Sequence, residues 1–544
     1  MKCTDRRFLY RAEEQMKLRE LNFDVEALKR RAAAVSGSKE CNRIEFIGEG
    51  AFNKVFELVM DNGAKQVIAR TPFPHVGPQT LLTNSEVATM EFVRERFNAP
   101  VPKVLAYDSS PHNEIGMEHI IMEKCPGVHP DTWFGSEQFA GELTRIYTFF
   151  AARPLYADGY PEDKFSERFR IGPLVDYRLY DDGRADLAVD RGPFKDAHSY
   201  MKAYALCEIA WIKKYAKSCK DPIEYRAAGY TSPKLHISLL EKWISIIPAL
   251  LPSPSALAPI AVADEGEGNE LLDLNKPSLI LNDLHLNNVF VDEKGVPTGL
   301  IDLQSINIVP LFSAHCPSFM NDGRVKDRVN DILEINPPKV QDHTGDPLKL
   351  LLSLRDGSLI GDRQLEFFLE YIYQTHPALY VALKLKYLDK LNPLDVWTTW
   401  RRGLPTLYRV IKDALHAYNF RKIPSNPKYP KLPIVLVPKD LRPVQEHDKE
   451  TSIIALLHHI VKQKFDERGL NSSAWIHGFT LLEENQPLEG TEEVLSEVLE
   501  ETEKDLRQSL NSESQVLTKA LCSFRNGHTL RGYLQGFYSC RKSS

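Results

Sequence analysis

The run Leu281-Asn282-Asp283-Leu284-His285-Leu286-Asn287-Asn288-Val289-Phe290-Val291 is followed, after a turn at Lys294-Gly295, by Gly299-Leu300-Ile301-Asp302-Leu303-Gln304. An Asp is followed five positions later by an Asn, then by an apolar strand, a turn, a second strand and a second Asp. A hydroxyl nucleophile needs a carboxylate within hydrogen-bond reach to orient it and accept its proton, and Asp283 suits that role. A magnesium ion that bridges nucleotide phosphates takes hard oxygen ligands. Asn288 offers a side-chain carbonyl and Asp302 a carboxylate. The intervening hairpin brings the two into one site. Taken alone, the same residues also fit an ordinary polar loop and a turn carboxylate, and His285 reads better as a packing residue than as a catalyst.

Protein kinases use the same order of Asp, Asn and metal-binding Asp. Two further features lie upstream in the order a kinase requires. Gly48-Glu49-Gly50-Ala51-Phe52-Asn53-Lys54-Val55 fits a glycine loop, with Asn53 in the third glycine position. Such a loop lets backbone N–H groups approach phosphates. Fifteen residues on, Val67-Ile68-Ala69-Arg70 stands where kinases carry a strand-borne lysine. Arginine keeps the positive charge and offers a fork matched to phosphate oxygens, though it is bulkier and aims differently. Glu86 shares a helical stripe with Met90, Val93 and Phe97, the stripe that packs on a sheet. A carboxylate at its edge needs a partner, and Arg70 is the natural one. Each feature has a bland counterpart: a surface turn, a strand-end Arg, an exposed helical Glu. Their joint occurrence in order is the informative observation.

Around these motifs the chain changes character. Glu13–Leu21 and Val25–Val35 have helical spacing. Phe56–Met60 and Val67–Ala69 flank the hairpin turn Asp61-Asn62-Gly63. Thr83–Phe97 reads as one helix and Ile120–Met122 as a buried strand. Helices dominate afterwards, most clearly at 196–216 and 236–250, with a loop expected from Pro248 to Glu270. The segment from Pro424 to Pro443 reads as an extended connection, and Glu483–Asp505 as an acidic surface arm. These shifts give residues 1–40 as an N-terminal helical segment and 41–128 as a small sheet-bearing lobe. Residues 129–423 form a large lobe with the catalytic loop and acceptor cleft, and 424–544 a Pro-rich connection and helical extension. The pattern is α+β, a small antiparallel sheet with one helix followed by mainly helical chain, and the family resemblance given below implies that these are the two lobes of a kinase-like fold.

Composition sets limits. The 544 residues carry 68 basic against 74 acidic side chains, a net charge of −6, so a general nucleic-acid binder is not expected. The 8 cysteines include no Cys-x-x-Cys pair and read as reduced core residues. No apolar stretch reaches the ~20 residues of a membrane span. The N-terminus has no signal-peptide run. Its basic residues hint at mitochondrial import, but Glu13, Glu14 and Glu20 argue against it, so a cytoplasmic location is expected with a mitochondrial alternative.

The chain resembles the fungal branch of the aminoglycoside phosphotransferase-like family, in particular the altered inheritance of mitochondria protein 9 group. The resemblance runs through Gly50–Phe56, Ile68–Pro74, Ser85–Met90, Ile121–Lys124, Asp190–Pro193, Glu208–Trp211, Asp283–Leu286 and Ile301–Gln304. It implies ATP binding between two lobes and magnesium-dependent phosphoryl transfer to a hydroxyl of a small molecule. By motif match Asp283 is the catalytic base, and Asn288 and Asp302 are the Mg2+ ligands. Arg70 is the nucleotide-phosphate contact, with Glu86 as its partner. Gly48, Gly50, Asn53 and Lys54 form the phosphate loop, and Met122, Glu123 and Lys124 are the hinge that meets adenine through backbone groups. Two positions depart from the pattern. Leu281 stands where the family usually has His, two residues before the catalytic Asp, and Leu303 where it tends to carry Trp. A pseudokinase or nucleotide-binding scaffold with a role in mitochondrial maintenance is the alternative reading. The acceptor is not legible: the segment from Phe149 to Arg191, expected to be helical and to help line its pocket, mixes acids with Lys164, Arg168, Arg170 and Arg178. No sequence feature sets an oligomeric state.

Overall fold

The computed structural model describes residues 6–8, 16–50, 52–74, 76–130, 165, 168–216, 232–251, 273–281, 284, 286–314, 368–369, 371–384, 392–397, 399–402, 404–421, 463–464, 467, 479–481, 497, 500–501 and 504. Asn282, Asp283 and His285 lie outside them, as do most of the loop expected after Pro248, the Pro-rich connection and most of the acidic arm.

Five strands form the first layer: β2 (Cys41–Glu49), β3 (Asn53–Met60), β4 (Lys65–Pro72), β5 (Val104–Asp108) and β6 (His119–Glu123). Short β1 (Arg6–Phe8) lies apart and pairs with Phe479–Leu481. The five-stranded order is β2-β3-β4-β6-β5, and every adjacent pair is antiparallel. Asp61, Asn62 and Gly63 all adopt positive φ at the β3–β4 turn, the conformation for which Asn and Gly are suited.

Alternation along the strands gives the sheet two unlike faces. Phe56, Leu58, Met60, Val67, Ala69 and Ile121 bury one face against Ala27, Leu28, Ala32 and Ala33 of helix α1 (Val25–Ser36). Asp24 caps α1 by accepting from Ala27 N at 2.9 Å, and Gly37 ends it at φ 71°. The other face carries Arg70 and Ile120, and helix α2 (Leu81–Phe97) packs there. Glu86, Met90 and Val93 are buried on α2, and Phe97 packs beside them, so the expected stripe is the one that meets the sheet.

A second core runs from α2 into helices α3 (Ala197–Tyr215) and α4 (Pro233–Leu250) and the later helices α5 (Pro377–Lys384), α6 (Thr399–Arg402) and α7 (Leu404–Arg421). Asp196 caps α3 through Ser199 N at 2.7 Å. Ser232 caps α4, with Pro233 in the first turn. Helix α4 continues through Pro248 to Leu250, so the loop expected from Pro248 starts later. In the last turn proline costs one hydrogen bond and does not break the helix. The described part of Phe149–Arg191 is not helical as expected: it is irregular chain with two 3-10 turns, at Tyr177–Leu179 and Arg184–Asp186. Arg184 is the reason it is fixed. Its guanidinium donates to Glu208 at 2.7 Å with both side chains fully buried, and it stacks over Trp211 at 5.2 Å. Glu208 also accepts from Trp400 N at 3.0 Å, and Arg191 donates to the Arg184 carbonyl. Arg191, Glu208 and Trp211, which carry part of the family resemblance, therefore hold the large lobe together.

The crossing between layers is tight. β7 (Pro277–Ile280) pairs with β10 (Asn307–Pro310), and β8 (Val289–Val291) with β9 (Pro297–Leu300). The β8–β9 turn is closed by the Asp292 carboxylate, which accepts from Lys294 N and Val296 N. The chain leaving β6 lies on this hairpin. Val128 bridges Val291, and Thr298 donates to the Pro126 carbonyl at 2.7 Å. Gly127 has φ 94°, and a Cβ there would stand 2.3 Å from the Val291 carbonyl oxygen. Only glycine fits that approach.

Candidate active site

Arg70 sits in β4 opposite Val55 of β3 and Ile120 of β6, with its side chain on the α2 face. One guanidinium nitrogen, Nη1, donates to Glu86 Oε1. The other, Nη2, donates to Asp302 Oδ1 at 2.6 Å and to Gln304 Oε1 at 2.7 Å. Arg70 and Glu86 are buried, at 7% and 4% exposure, while the Asp302 side chain is 32% exposed. A buried guanidinium requires such a full set of acceptors, because leaving one charge uncompensated costs several kcal/mol. The expected Arg70–Glu86 pair is therefore present, and the fork also spans the cleft to the residue expected to hold metal.

Asp302 has φ 60° and ψ 56°, the left-handed region that Asp tolerates better than most residues. That turn starts the 3-10 segment Leu303–Ser305 and sends the carboxylate toward Arg70. Asn288, buried at 6%, is fixed from the same side, since Ile301 N donates to its carbonyl at 2.9 Å. Asn288 and Asp302 line one small pocket with Leu281, Leu284, Leu300 and Leu303. A carboxamide and a carboxylate opening on one pocket are a donor set that fits magnesium. Among the described residues no three His, Cys, Asp or Glu side chains cluster to hold an ion, which leaves zinc-type ligation without a site there. Leu281, in the position where the family usually has His, is buried in the pocket wall.

The glycine loop joins β2 to β3, closed by Gly50 N donating to the Asn53 carbonyl at 2.9 Å. A Cβ at Gly48 would meet no atom within 4 Å, and at Gly50 only backbone atoms at 4.0 Å. Protein packing does not require glycine at either position, so the bare backbone leaves room for a bulky group. Asn53, in the third glycine position, is buried, and with its amide turned to face the Arg70 donors its Oδ1 accepts from Nη2 at 2.6 Å and from Nε at 3.2 Å. Lys54 pairs with Thr71 in register and so points to the opposite face from Arg70. Its ammonium lies 3.2 Å from Glu49, with both side chains buried.

Met122 is buried opposite Ile68 and Val104, and Glu123 N donates to the Lys103 carbonyl. Lys124 reaches Glu57 at 2.9 Å and Gln66 at 3.0 Å. Cys125, next in the chain, packs against Gly299, where a Cβ would meet its Sγ at 2.7 Å. Burial pushes the Cys125 thiol up to about 11, which disfavours its thiolate form. Met122–Lys124 thus occupy the strand end between the two layers, while the side chains of Lys54 and Lys124 are held by neighbouring carboxylates.

Arg70 joins Glu86 to Asp302, Asp302 and Asn288 line one pocket, and the pattern of the phosphotransferase enzyme family matches residues 43–311. Residues 43–311 belong to that family. The phosphotransferase domain begins within β2 and ends just after β10, so it contains the whole described cleft. A subtelomeric hrmA-associated cluster protein of Aspergillus fumigatus is 28% identical over 51% of this chain and 60% of its own length. A protein of Yarrowia lipolytica named altered inheritance of mitochondria protein 9, mitochondrial, is 24% identical over 51% of each chain. The matched part thus spans between about half and three-fifths of these relatives. A solved aminoglycoside phosphotransferase, APH(4)-Ia with ADP and hygromycin B, aligns with 73% of this chain and 96% of its own at 13% identity and TM-score 0.33. The kinase-like α+β assignment rests on the antiparallel sheet, the buried α2 and the family match, not on that score.

Gln304 was given no role by sequence reasoning, although it lies two residues after Asp302. A neutral amide carries no charge pattern, and Arg70, which donates to it, is more than 230 residues away.

Proposed function

We propose that the chain is a phosphotransferase that uses ATP and magnesium and moves the γ-phosphate to a hydroxyl of a small molecule. The observation that carries this reading is the convergence of Arg70, Glu86 and Asp302 at one cleft beside Asn288. Glu86 holds one arm of the Arg70 fork, and the arm that now donates to Asp302 is the one that would meet phosphate oxygens. Asn288 and Asp302 are the oxygen donors for magnesium, which when bound neutralises charge on the phosphates. Asp283, outside the described residues, is the base that orients the acceptor hydroxyl and takes its proton. The open backbone at Gly48 and Gly50 covers the phosphates.

One observation favours the second reading, a nucleotide-binding scaffold without transfer. Arg70 already neutralises Asp302, and Leu281 replaces the His that braces the catalytic loop in the family. The two readings separate in one experiment. Magnesium-dependent ATP turnover that is lost in Asp283→Asn supports transfer. Tight ATP binding with no transfer to any hydroxyl in a metabolite panel supports the scaffold.

No helix of the described residues is long and apolar enough to cross a membrane. The expected cytoplasmic location has no support, and the relative named mitochondrial favours the alternative. We propose a mitochondrial role, to be tested by the location of a tagged full-length protein.

A further inference from the structure

Helix α2 starts without a cap of its own. Thr80, the residue before it, has φ 67°, and its side chain makes no capping hydrogen bond. The cap comes from another element. Glu118, at the entry to β6, accepts from Thr80 N at 3.3 Å through Oε1 and from the Thr83 hydroxyl at 2.8 Å through Oε2. In a capping box the carboxylate that takes the N-cap N–H belongs to the third helical residue. Here Thr83 holds that position, and its hydroxyl brings in a carboxylate from beside the sheet. Glu118 and Thr83 are both buried, at 8% and 1% exposure.

This contact bears on Arg70 from two sides. Thr71, next to Arg70 in β4, donates to the Glu118 carbonyl at 2.7 Å. Thr83 lies three residues before Glu86 on the same buried side of α2, and Glu86 holds Nη1 of Arg70. Glu118 thus ties the strand that carries the guanidinium to the helix that carries its carboxylate. A β-branched residue at positive φ is strained, so the start of α2 needs a compensating contact, and the carboxylate at the helix N-terminus supplies one. The dependence is mutual. Burial raises the Glu118 carboxyl above its ordinary value, and the Thr83 and Thr80 donors oppose that.

We propose that Glu118 is a positioning residue: by capping α2 from the sheet it holds Glu86 against Arg70 and so sets the aim of the guanidinium in the cleft. What Arg70 meets there rests on the phosphotransferase reading, whereas the capping of α2 does not.

The test uses the full-length protein with Glu118→Met, which keeps the length of the side chain and removes both acceptors, and Glu118→Gln, whose amide accepts from Thr80 N and donates to Thr83 Oγ1. Hydrogen–deuterium exchange is read over residues 80–87 without nucleotide. The expected result is exchange about 3- to 10-fold faster in Glu118→Met, the equivalent of one lost hydrogen bond, and close to wild type in Glu118→Gln. Thr83→Val removes the shorter contact from the helix side and carries both measurements where Glu118→Met does not fold. The double variant should exchange no faster than Glu118→Met alone. Unchanged exchange in Glu118→Met and Thr83→Val, additive effects in the double variant, or no recovery with glutamine would each overturn the capping. Binding of ATP separates positioning from stability alone. Glu118→Met should weaken it about 3- to 10-fold at a temperature where the variant is fully folded, and Glu118→Gln should restore it. In an Arg70→Ala background Glu118→Met should weaken it no further. Unchanged ATP affinity, or equal weakening in both backgrounds, would overturn the action through Arg70. If the wild type binds no ATP, the phosphotransferase reading and the aim at a nucleotide fail together, while the exchange result still decides the capping.

Discussion

Arg70 Nη2 lies 2.6 Å from Asp302 Oδ1, although 232 residues separate them in sequence. One side chain thus spans from the sheet of the small lobe to the first turn after β9. The same guanidinium holds Glu86 on α2. The three residues couple sheet, helix and large lobe through one cation.

Arg70→Ala should weaken ATP binding by about 1–3 kcal/mol, the worth of a charge-assisted contact. It should also lower stability, because Glu86 is left buried without its cation. Isothermal titration with ATP and urea unfolding read the two effects separately. Unchanged ATP affinity would remove Arg70 from the nucleotide site.

Asp302→Asn should abolish the extra stabilisation that magnesium adds to ATP. At a nucleotide concentration a hundredfold above Kd, a ligand raises folding stability by about 2.7 kcal/mol, visible as a shift in melting temperature. In the wild type EDTA should lower the shift given by ATP with magnesium to that of ATP alone. In Asp302→Asn, EDTA should change nothing.

Glu208→Gln should destabilise the large lobe by about 1–3 kcal/mol, because Arg184 loses its nearest carboxylate while Asp182 and Asp181, at 3.4 and 3.5 Å, still face it. The pair is 1% and 0% exposed, so solvent cannot take over. Urea unfolding followed by tryptophan fluorescence measures the loss. A change below about 1 kcal/mol would mean the pair is better hydrated than its burial implies.

His236 predicts a pH effect. It lies buried in α4, 3.0 Å from Thr399 Oγ1, and burial lowers its pKa from 6.5 to about 4. The unfolded chain therefore binds more protons between pH 4 and 6.5, and stability rises with pH across that window. The contribution is complete above pH 6.5 and lost as pH falls towards 4, about 3 kcal/mol in all. Unfolding free energies at pH 5 and pH 7 should differ in the wild type by more than in His236→Gln.

Gly127→Ala should cost about 1–3 kcal/mol from its positive φ alone. The clash with the Val291 carbonyl adds to that. A melting temperature within a degree of the wild type would show that the chain between the lobes can shift without loss.

Much of the cleft was legible because its chemistry is local. The spacing from Asn288 to Asp302 encodes a hairpin, and Asp292 closes it with two backbone hydrogen bonds. The stripe Glu86, Met90, Val93 is a helical period, and it faces the sheet. The register of β3 and β4 follows from a turn whose residues favour positive φ. Less legible were the side chains that chose among several possible partners. Lys54 sits in a glycine-loop motif, yet strand alternation turns it away from Arg70 and Glu49 holds it. Phe149–Arg191 was expected to be helical although it holds Gly172-Pro173 and Asp181-Asp182-Gly183, which break helical spacing. Its described part is irregular, and its turns are tied together by Arg191, which donates to the Leu179 and Arg184 carbonyls, and anchored to α3 by Arg184 on Glu208.

The sequence by itself determined the order of the motifs, the antiparallel hairpins and the helix that brings Glu86 to Arg70, because short-range periodicity and turn chemistry specify them. Only the tertiary structure decided that Gln304 accepts from Arg70, that Arg70 neutralises Asp302, and that α1 covers the far face of the sheet. Those pairings join residues that are distant along the chain. A neutral amide or an alanine-rich face becomes specific only when packing has excluded water and left one partner within reach.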